Sequence, residues 1–376
     1  MAVVPKLLLC SHAGSPLEPR TWSGTPYKLY SALREQALLE PVGWASQPTE
    51  RWQPRLRKLD RLLGLQHGFI HGPARRAGAA LGATAAARAA GCSALLHLGT
   101  YDLLPLPSRL PHYVYVDSCY DFWERNALAA RQLGRYQREA FRLLERQTLR
   151  AARRVFTAGE HVAAEMVERY GLDPARLRAV GTGLGDIRPL QTAKDYRSKQ
   201  LLIVAKLRPA DKGLPLLLRA LEIARLSDPE ISLTVIGGAK YPELQGLVGV
   251  RGTGWISAEE LQDIFDRAAL YVMPAGYEPW GLAYLEALAC RTPIVGLNRG
   301  AFPELSGQGR YGFVLEQQTP EALAALLLAA LADPQRLARM GEEGQAHCLA
   351  HYSWQRVARE IGSGILEDLS SDSGRG

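Results

Sequence analysis

Apolar residues along the chain fall into two rhythms. Short runs such as "KLLLC" (6–10), "YVYVD" (113–117) and "RVFTAG" (154–159) alternate with longer stretches whose apolar positions lie three or four apart, "TPYKLYSALREQ" (25–36), residues 121–152 and "HVAAEMVERYG" (161–171). The first kind predicts buried strands and the second predicts helices laid over them, so the alternation predicts parallel βαβ units. After residue 190 the rhythm restarts: "QLLIVAKL", "LPLLLRALEIA", "ISLTVIG", "SAEELQDIFDRA", "LYVMP", "LAYLEALA" and "TPIVGL". Two doubly wound α/β domains are therefore expected. Between them "VGTGLGDIRPLQTAKDYRSKQ" (180–200) has glycines, a proline and mixed charge without apolar period, as a linker does. The expected layout is a first Rossmann-like domain over 1–188, a second over 189–350, a helix over 351–369 returning toward the first domain, and a disordered tail over 370–376.

Composition adds limits. At 376 residues, 47% hydrophobic and 22% charged, the chain is an ordinary folded protein rather than a collagen-like or disordered one. Its net charge of +7 is uneven: residues 1–190 hold 26 Lys+Arg against 16 Asp+Glu, and residues 191–376 hold 19 against 22. A basic half serves nucleic acid, anionic lipid or a phosphorylated substrate equally well. The five cysteines are scattered, with no close pair for zinc or redox chemistry, which fits a reducing, cytoplasmic compartment. "MAVVPKLLLCSHAG" has too short an apolar core for a signal peptide, and the longest apolar run, "ALAALLLAALA" (322–332), falls well short of the roughly 20 residues a membrane span needs.

In α/β sheets ligands bind beyond the carboxyl ends of strands, and three such loops carry unusual residues. In "GYEPWGLAYLEALAC" (276–290), Glu278 sits in the loop and Glu286 about one turn into a nearly apolar helix. A carboxylate there either leans on the helix N-terminus or accepts hydrogen bonds from vicinal hydroxyls of a ribose or sugar. In "VAKLRPADKG" (204–213), Lys206 and Lys212 flank a turn before a helix start at Gly213, so both ammoniums could meet one diphosphate; solvated loop lysines are the plainer reading. In "TWSGTPYKLY" (21–30), Ser23 reads as an N-cap and Gly24 as a point of close backbone approach, either in a phosphate contact or in a simple capped helix.

In order along the chain, "SGTP", "VAKLRPADKG", the segment from "GTGWISAEEL" through "RTPIV", "GFVLEQQTPEAL" and "YSWQRVAREI" resemble the retaining glycosyltransferases of family 4, whose E-x7-E signature Glu278 and Glu286 meet. The resemblance covers 196–366 well and the first domain loosely. It implies the GT-B architecture, two Rossmann-like domains around a donor cleft, and transfer of a hexosyl group from a UDP- or GDP-sugar to a hydroxyl acceptor. It also implies residue roles. Glu286 would bind the ribose, and Glu278 hydroxyls of the transferred sugar. Lys206 and Lys212 would hold the diphosphate, joined by backbone N–H groups at Gly281 and Leu282. Gly24 would close on the phosphates, and Gly254 to Ile256 would line the base. Two departures stand out. Lys206 replaces the family's usual arginine, keeping charge but losing the bidentate fork. Where the family often has a histidine near the reacting carbon, this chain offers Asp117 at the end of "YVYVDS", with His97 in "LLHLG" as the other candidate.

No metal cofactor is expected: there is no Asp-x-Asp, and glycines at 68 and 72 disrupt the His67/His71 pair. Seven arginines from Arg131 to Arg153 recur every three or four residues, and "ERWQPRLRKLDRLLGLQ" (50–66) is basic with Trp52 and leucines. The arginines form either a solvated face or a dock for anionic lipid headgroups or an anionic acceptor, and the second stretch adds weight to a peripheral contact with an anionic membrane on its inner, cytoplasmic side. No recognition motif supports nucleic acid. The competing functions are a GT-B sugar phosphorylase, which would leave Glu286 without a ribose, and a catalytically silent nucleotide-sugar-binding partner protein.

Overall fold

The computed structural model describes residues 4–45, 53–67, 70–104, 109–237, 241–254 and 256–373. It divides into two compact units, the first built from residues 1–125, 129–183 and 353–376 and the second from 126–128 and 184–352. The chain passes from one to the other at Gly183 and returns at Ser353, whereas the sequence pattern places the changes after 188 and 350.

In chain order the first unit holds β1 (Lys6–Ser11), α1 (Thr25–Gln36), β2 (Glu40–Ala45), α2 (Gln53–Leu62), α3 (Pro73–Ala89), β3 (Ala94–Leu98), β4 (His112–Val116), α4 (Tyr120–Asn126), α5 (Arg135–Ala151), β5 (Arg154–Thr157), α6 (Glu160–Tyr170) and β6 (Leu177–Ala179). Its sheet is parallel with strand order β2-β1-β3-β4-β5-β6. Near-continuous apolar strands such as Leu7–Cys10 are buried on both faces, as helices on both sides of a parallel sheet require. Residues 121–152, expected as one helix, break into α4, a 3-10 turn and α5. Gly134 is extended and its N–H donates to the Gln137 side chain at 3.0 Å, so a new helix starts there.

The second unit holds β7 (Gln200–Val204), α7 (Leu214–Ser227), β8 (Ser232–Ile236), β9 (Val250–Thr253), α8 (Ala258–Arg267), β10 (Leu270–Val272), α9 (Leu282–Ala289), β11 (Ile294–Leu297), α10 (Phe302–Leu305), β12 (Gly312–Leu315), α11 (Pro320–Leu331) and α12 (Pro334–His351). Its parallel sheet runs β12-β11-β10-β7-β8-β9. The expected linker is bound into this unit: the half-buried Lys194 ammonium donates to Phe265 O at 2.8 Å, to Ala268 O at 2.9 Å and to Thr292 Oγ1.

The last helix, α13 (Trp354–Ser373), belongs to the first unit. Trp354, Val357, Ala358, Ile361 and Ile365 enter a core shared with Leu29 and Leu33 of α1 and with Leu7 and Leu9 of β1. Arg154 reaches Asp368 at 2.7 Å and Arg153 reaches Asp372 at 2.6 Å. These pairs carry the helix through residues 370–373, where the sequence pattern predicts a disordered tail; residues 374–376 lie outside the described residues. Among the described residues no helix is long and apolar enough to cross a membrane.

Candidate functional site

Each sheet reverses direction at one place. In the second unit, strands are added outward from β7 through β8 to β9 on one side and from β10 through β11 to β12 on the other, so the switch falls between β7 and β10. At such a point the loops leaving the two strands run apart and open a ligand crevice at their carboxyl ends. The pairing of Leu201 with Leu270 and of Leu202 with Tyr271 sets the loops after Val204 and Val272 side by side.

Those loops carry four of the residues singled out above. Lys212 Nζ and a carboxylate oxygen of Glu278 form an ion pair, with side-chain exposures of 25% and 16%. Tyr277 N donates to Asp211 O at 3.2 Å, which fastens one loop to the other. Gly213 caps α7 at φ +79°, and a Cβ there would fall 2.2 Å from Pro274 O, so only glycine lets the loops meet this closely. Gly281 caps α9 at φ +90° with Leu282 as the first helical residue. Glu286 is half-buried one turn further on, its carboxylate lying against the Gly185 backbone, where a Cβ would meet Oε1 at 1.8 Å. Beneath, Tyr284 donates to Met273 O at 2.5 Å and stacks edge-on against Tyr271. Lys206 is exposed at the end of β7, its Cα so near Gly237 that a Cβ there would lie 2.6 Å away.

The structure thus gathers Lys212, Glu278, Gly281 and Leu282 at one switch point with Lys206 and Glu286 on the same two strand-to-helix connections. Gly254 and Ile256 follow β9 at the sheet edge, exposed and half-buried respectively. In the first unit Gly24 adopts φ +81° and is itself the N-cap of α1. Ser23, expected as that cap, makes no side-chain cap bond and stands with Trp22 in the left-handed region, at φ 55° and 42°. Three successive left-handed residues, two of them non-glycine, mark strain of the kind held at ligand contacts.

Asp117 is half-buried just past β4. His97 is corrected. It is fully buried, with Nδ1 bonded to the Asp102 carboxylate and Nε2 2.8 Å from His112 Nδ1, so neither nitrogen is left for a substrate. His12, directly after β1, takes the other side of Asp102, Nε2 lying 2.8 Å from Oδ1. Burial alone would raise Asp102, but the His12 and His97 imidazoles hold it well below the usual carboxylate range. This His–Asp–His chain went unread in the sequence. The rule that strand ends face ligands could have flagged His12, whereas nothing local marks Asp102.

The arginine stripe is partly spent on intramolecular pairs. Arg142 meets Glu124 at 2.8 Å and Glu139 at 2.9 Å, and Arg153 meets Asp372 at 2.6 Å. On α2, Leu59 and Leu62, with Leu63 directly after the helix, are exposed beside Arg55, Lys58 and Arg61, while Trp52 lies outside the described residues.

Comparison with known proteins agrees with the fold. Residues 189–347 match the family model for glycosyl transferases group 1. A GDP-mannose-dependent alpha-(1-6)-phosphatidylinositol monomannoside mannosyltransferase of Mycolicibacterium smegmatis is 34% identical over 221 residues, 54% of this chain and 53% of that protein. The chain spans about half the length of the curated relatives it matches. A sucrose-phosphate synthase from Thermosynechococcus elongatus superposes with a TM-score of 0.72 at 19% identity, over 98% of this chain and 100% of that one. Anabaena Alr3699/HepE in complex with UDP superposes with a TM-score of 0.66 at 16% identity, over 96% and 100%.

Acid stability follows from the buried imidazoles. Burial pushes His71 and His112 down to about 3, against about 6.5 in an unfolded chain. Between those values the unfolded chain binds protons that the folded unit does not, so stability is full above about pH 6.5 and is lost as pH falls toward 3. Protonation of Asp102 acts in the same direction. Denaturant unfolding of the first unit should weaken steadily from pH 7 to pH 4, with a shallower slope in His112→Asn; stability flat across that range would contradict the neutral assignment.

Proposed function

We propose, for a chain whose residues 189–347 match the family model for glycosyl transferases group 1, that the protein moves a hexosyl group from a nucleoside-diphosphate sugar to an acceptor hydroxyl with retention of anomeric configuration. The observation that carries this reading is the convergence of Lys212 and Glu278 at the β7/β10 switch point, with Lys206 and Glu286 beside them. When the glycosidic bond breaks, negative charge builds on the leaving diphosphate. A fixed ammonium in a partly dry site stabilises that charge before the reaction begins, and such preorganised charge contributes more than any other effect in most catalysis of this kind. Lys206 and Lys212 take this role. Glu278 holds Lys212 in place and turns its second oxygen to the hydroxyls of the transferred sugar. Glu286 accepts from the ribose hydroxyls. Gly254 and Ile256 line the base, Gly24 meets the phosphates, and Asp117 orients the acceptor.

The acceptor oxygen attacks the face that the leaving group vacates, and its proton passes to a diphosphate oxygen, so no protein nucleophile is required. Two lysines supply the cationic charge, and transfer proceeds without a divalent metal. The donor is a UDP- or GDP-sugar: HepE is described with UDP and the Mycolicibacterium relative with GDP-mannose. A phosphorylase would have no ribose for Glu286, and a silent binding partner would have no need of the Lys212–Glu278 pair.

Thermal shift against UDP-, GDP- and ADP-sugars tests donor binding, and stabilisation by none of them refutes the reading. Glu286→Ala should weaken nucleotide binding about tenfold or more, as loss of charge-assisted hydrogen bonds does. Glu278→Ala should instead lower kcat about a hundredfold with little change in nucleotide affinity. Wild-type behaviour of both variants would contradict the roles, and loss of turnover in EDTA would contradict metal independence.

We further propose that α2 and the turn after it dock on the inner face of an anionic membrane, from the cytoplasm, through Leu59, Leu62 and Leu63 with Arg55, Lys58 and Arg61 around them. Flotation with vesicles containing phosphatidylserine should carry the protein upward and should fail in Leu59→Ser/Leu62→Ser. Equal flotation with neutral vesicles, or none at all, would overturn the contact.

A further inference from the structure

The first unit has its own switch point. Its strand order β2-β1-β3-β4-β5-β6 reverses between β1 and β3, so the loops after Ser11 and Leu98 leave the sheet at the place where α/β sheets take ligands, as those after β7 and β10 do. His12 follows β1 directly. Gly99, at φ +92°, turns the chain after β3 so tightly that a Cβ would meet the Tyr101 ring at 2.3 Å. That ring stands 5.7 Å from the His12 ring and 6.1 Å from the His71 ring.

Cations close the group. Arg75 on α3 donates to His71 Nδ1 at 2.8 Å, and burial followed by the nearby Arg75 guanidinium keeps His71 neutral. Arg57 on α2 lies near enough to Arg75 that the two guanidiniums repel, and its Nε is buried without a hydrogen-bond partner. Two like charges placed together, offset only in part by Asp60 and one of them with an unspent buried donor, attract an anion.

The acidic groups nearby are all engaged within the fold, and Asp60 offsets part of the Arg75 charge. Asp60 accepts from Ala74 N at 3.0 Å and Arg75 N at 3.1 Å, capping α3, so the helix N-terminus is already filled. Asp102 is enclosed by His12 and His97. Glu145 accepts from Thr100 Oγ1 and Tyr120 N, both at 2.6 Å, and from Tyr170. Arg76 is buried and donates to His71 O at 2.7 Å and to Thr100 O, so it braces the loop rather than facing outward.

We infer that Arg57, Arg75, His71, Tyr101 and His12 form a phosphomonoester subsite for the acceptor. The guanidiniums grip the phosphate, Tyr101 lies against the acceptor ring, and His12, held by Asp102, hydrogen-bonds its hydroxyls. This rests on the transferase reading for its purpose but not for its existence. A phosphomonoester on a soluble cyclitol or sugar and one on a lipid headgroup share this chemistry.

Binding can be read without any transferase assay. Titration of inositol monophosphate, glucose 6-phosphate and inorganic phosphate, followed by 31P NMR and calorimetry, should show saturable binding to the full-length protein. Affinity should fall about tenfold or more in Arg57→Ala and in Arg75→Ala and recover partly in Arg75→Lys. Unphosphorylated inositol and glucose should bind at least about tenfold more weakly than their phosphates. Tyr101→Ala should weaken the ring-bearing phosphates while leaving inorganic phosphate unchanged. The variants' melting temperatures, measured alongside, identify any that misfold, and Arg57→Gln then stands in. Sedimentation with phosphatidic acid vesicles assigns the source: loss in Arg57→Ala identifies a lipid headgroup, and no change identifies a soluble acceptor. Absence of phosphate binding in the wild type, or equal affinity in folded Arg57→Ala and Arg75→Ala, overturns the subsite. Failure of the transferase reading would show separately, as nucleotide sugars giving no thermal shift while phosphate still binds.

Discussion

A parallel sheet wound in two directions leaves one place on its carboxyl edge where neighbouring loops diverge and no crossover covers the gap. Each unit of this chain has one such place, and the unusual chemistry of each collects there. In the second unit the gap between β7 and β10 is bridged by the Lys212–Glu278 ion pair. That contact depends on the pairing of Leu201 with Leu270, on Gly213 allowing the backbones to touch, and on Gly281 starting α9 where it does. A half-buried ion pair of this kind adds little stability by itself, because desolvation offsets most of its attraction. Its consequence is positional: the ammonium is fixed where a diphosphate can share it.

The two units handle buried charge differently. In the second, the acidic and basic groups of the site stay partly exposed and ready to exchange partners. In the first, Asp102 and Glu145 are fully enclosed, and imidazoles, a threonine, a tyrosine and a backbone N–H meet them on every side. Satisfied networks of that sort rigidify the loops that carry them. The loop after β3 is held in this way, so Tyr101, and with it the flanking His12 and His71, are fixed without any ligand present.

The architecture was legible because strand burial writes itself into composition. A strand covered on both faces must be apolar throughout, as "LLLC", "YVYV" and "LLIV" are, and the helices between them must be amphipathic. Boundaries were less legible. Lys194 looks like a linker residue until its three oxygen partners, contributed by residues far along the chain, appear around it. The break at Gly134 inside 121–152 carries no local mark, because its capping partner Gln137 is an ordinary helix residue. Within the sites, Glu278 and Glu286 could be singled out because a carboxylate in an apolar run needs explaining. His97 stands out only through the family's histidine near the reacting carbon, and its partners His112 and Asp102 are both internal. The Arg57–Arg75 cluster was invisible because its members come from two helices and three loops whose adjacency only the fold supplies.

If the β7/β10 switch point is a pyrophosphate site, a crystal structure with a nucleoside diphosphate bound will show it there. Pyrophosphate oxygens are expected within about 3 Å of Lys206 Nζ and Lys212 Nζ, with ribose hydroxyls on the Glu286 carboxylate. A nucleotide bound elsewhere, with the Lys212–Glu278 pair undisturbed and Glu286 remote from it, would contradict the account.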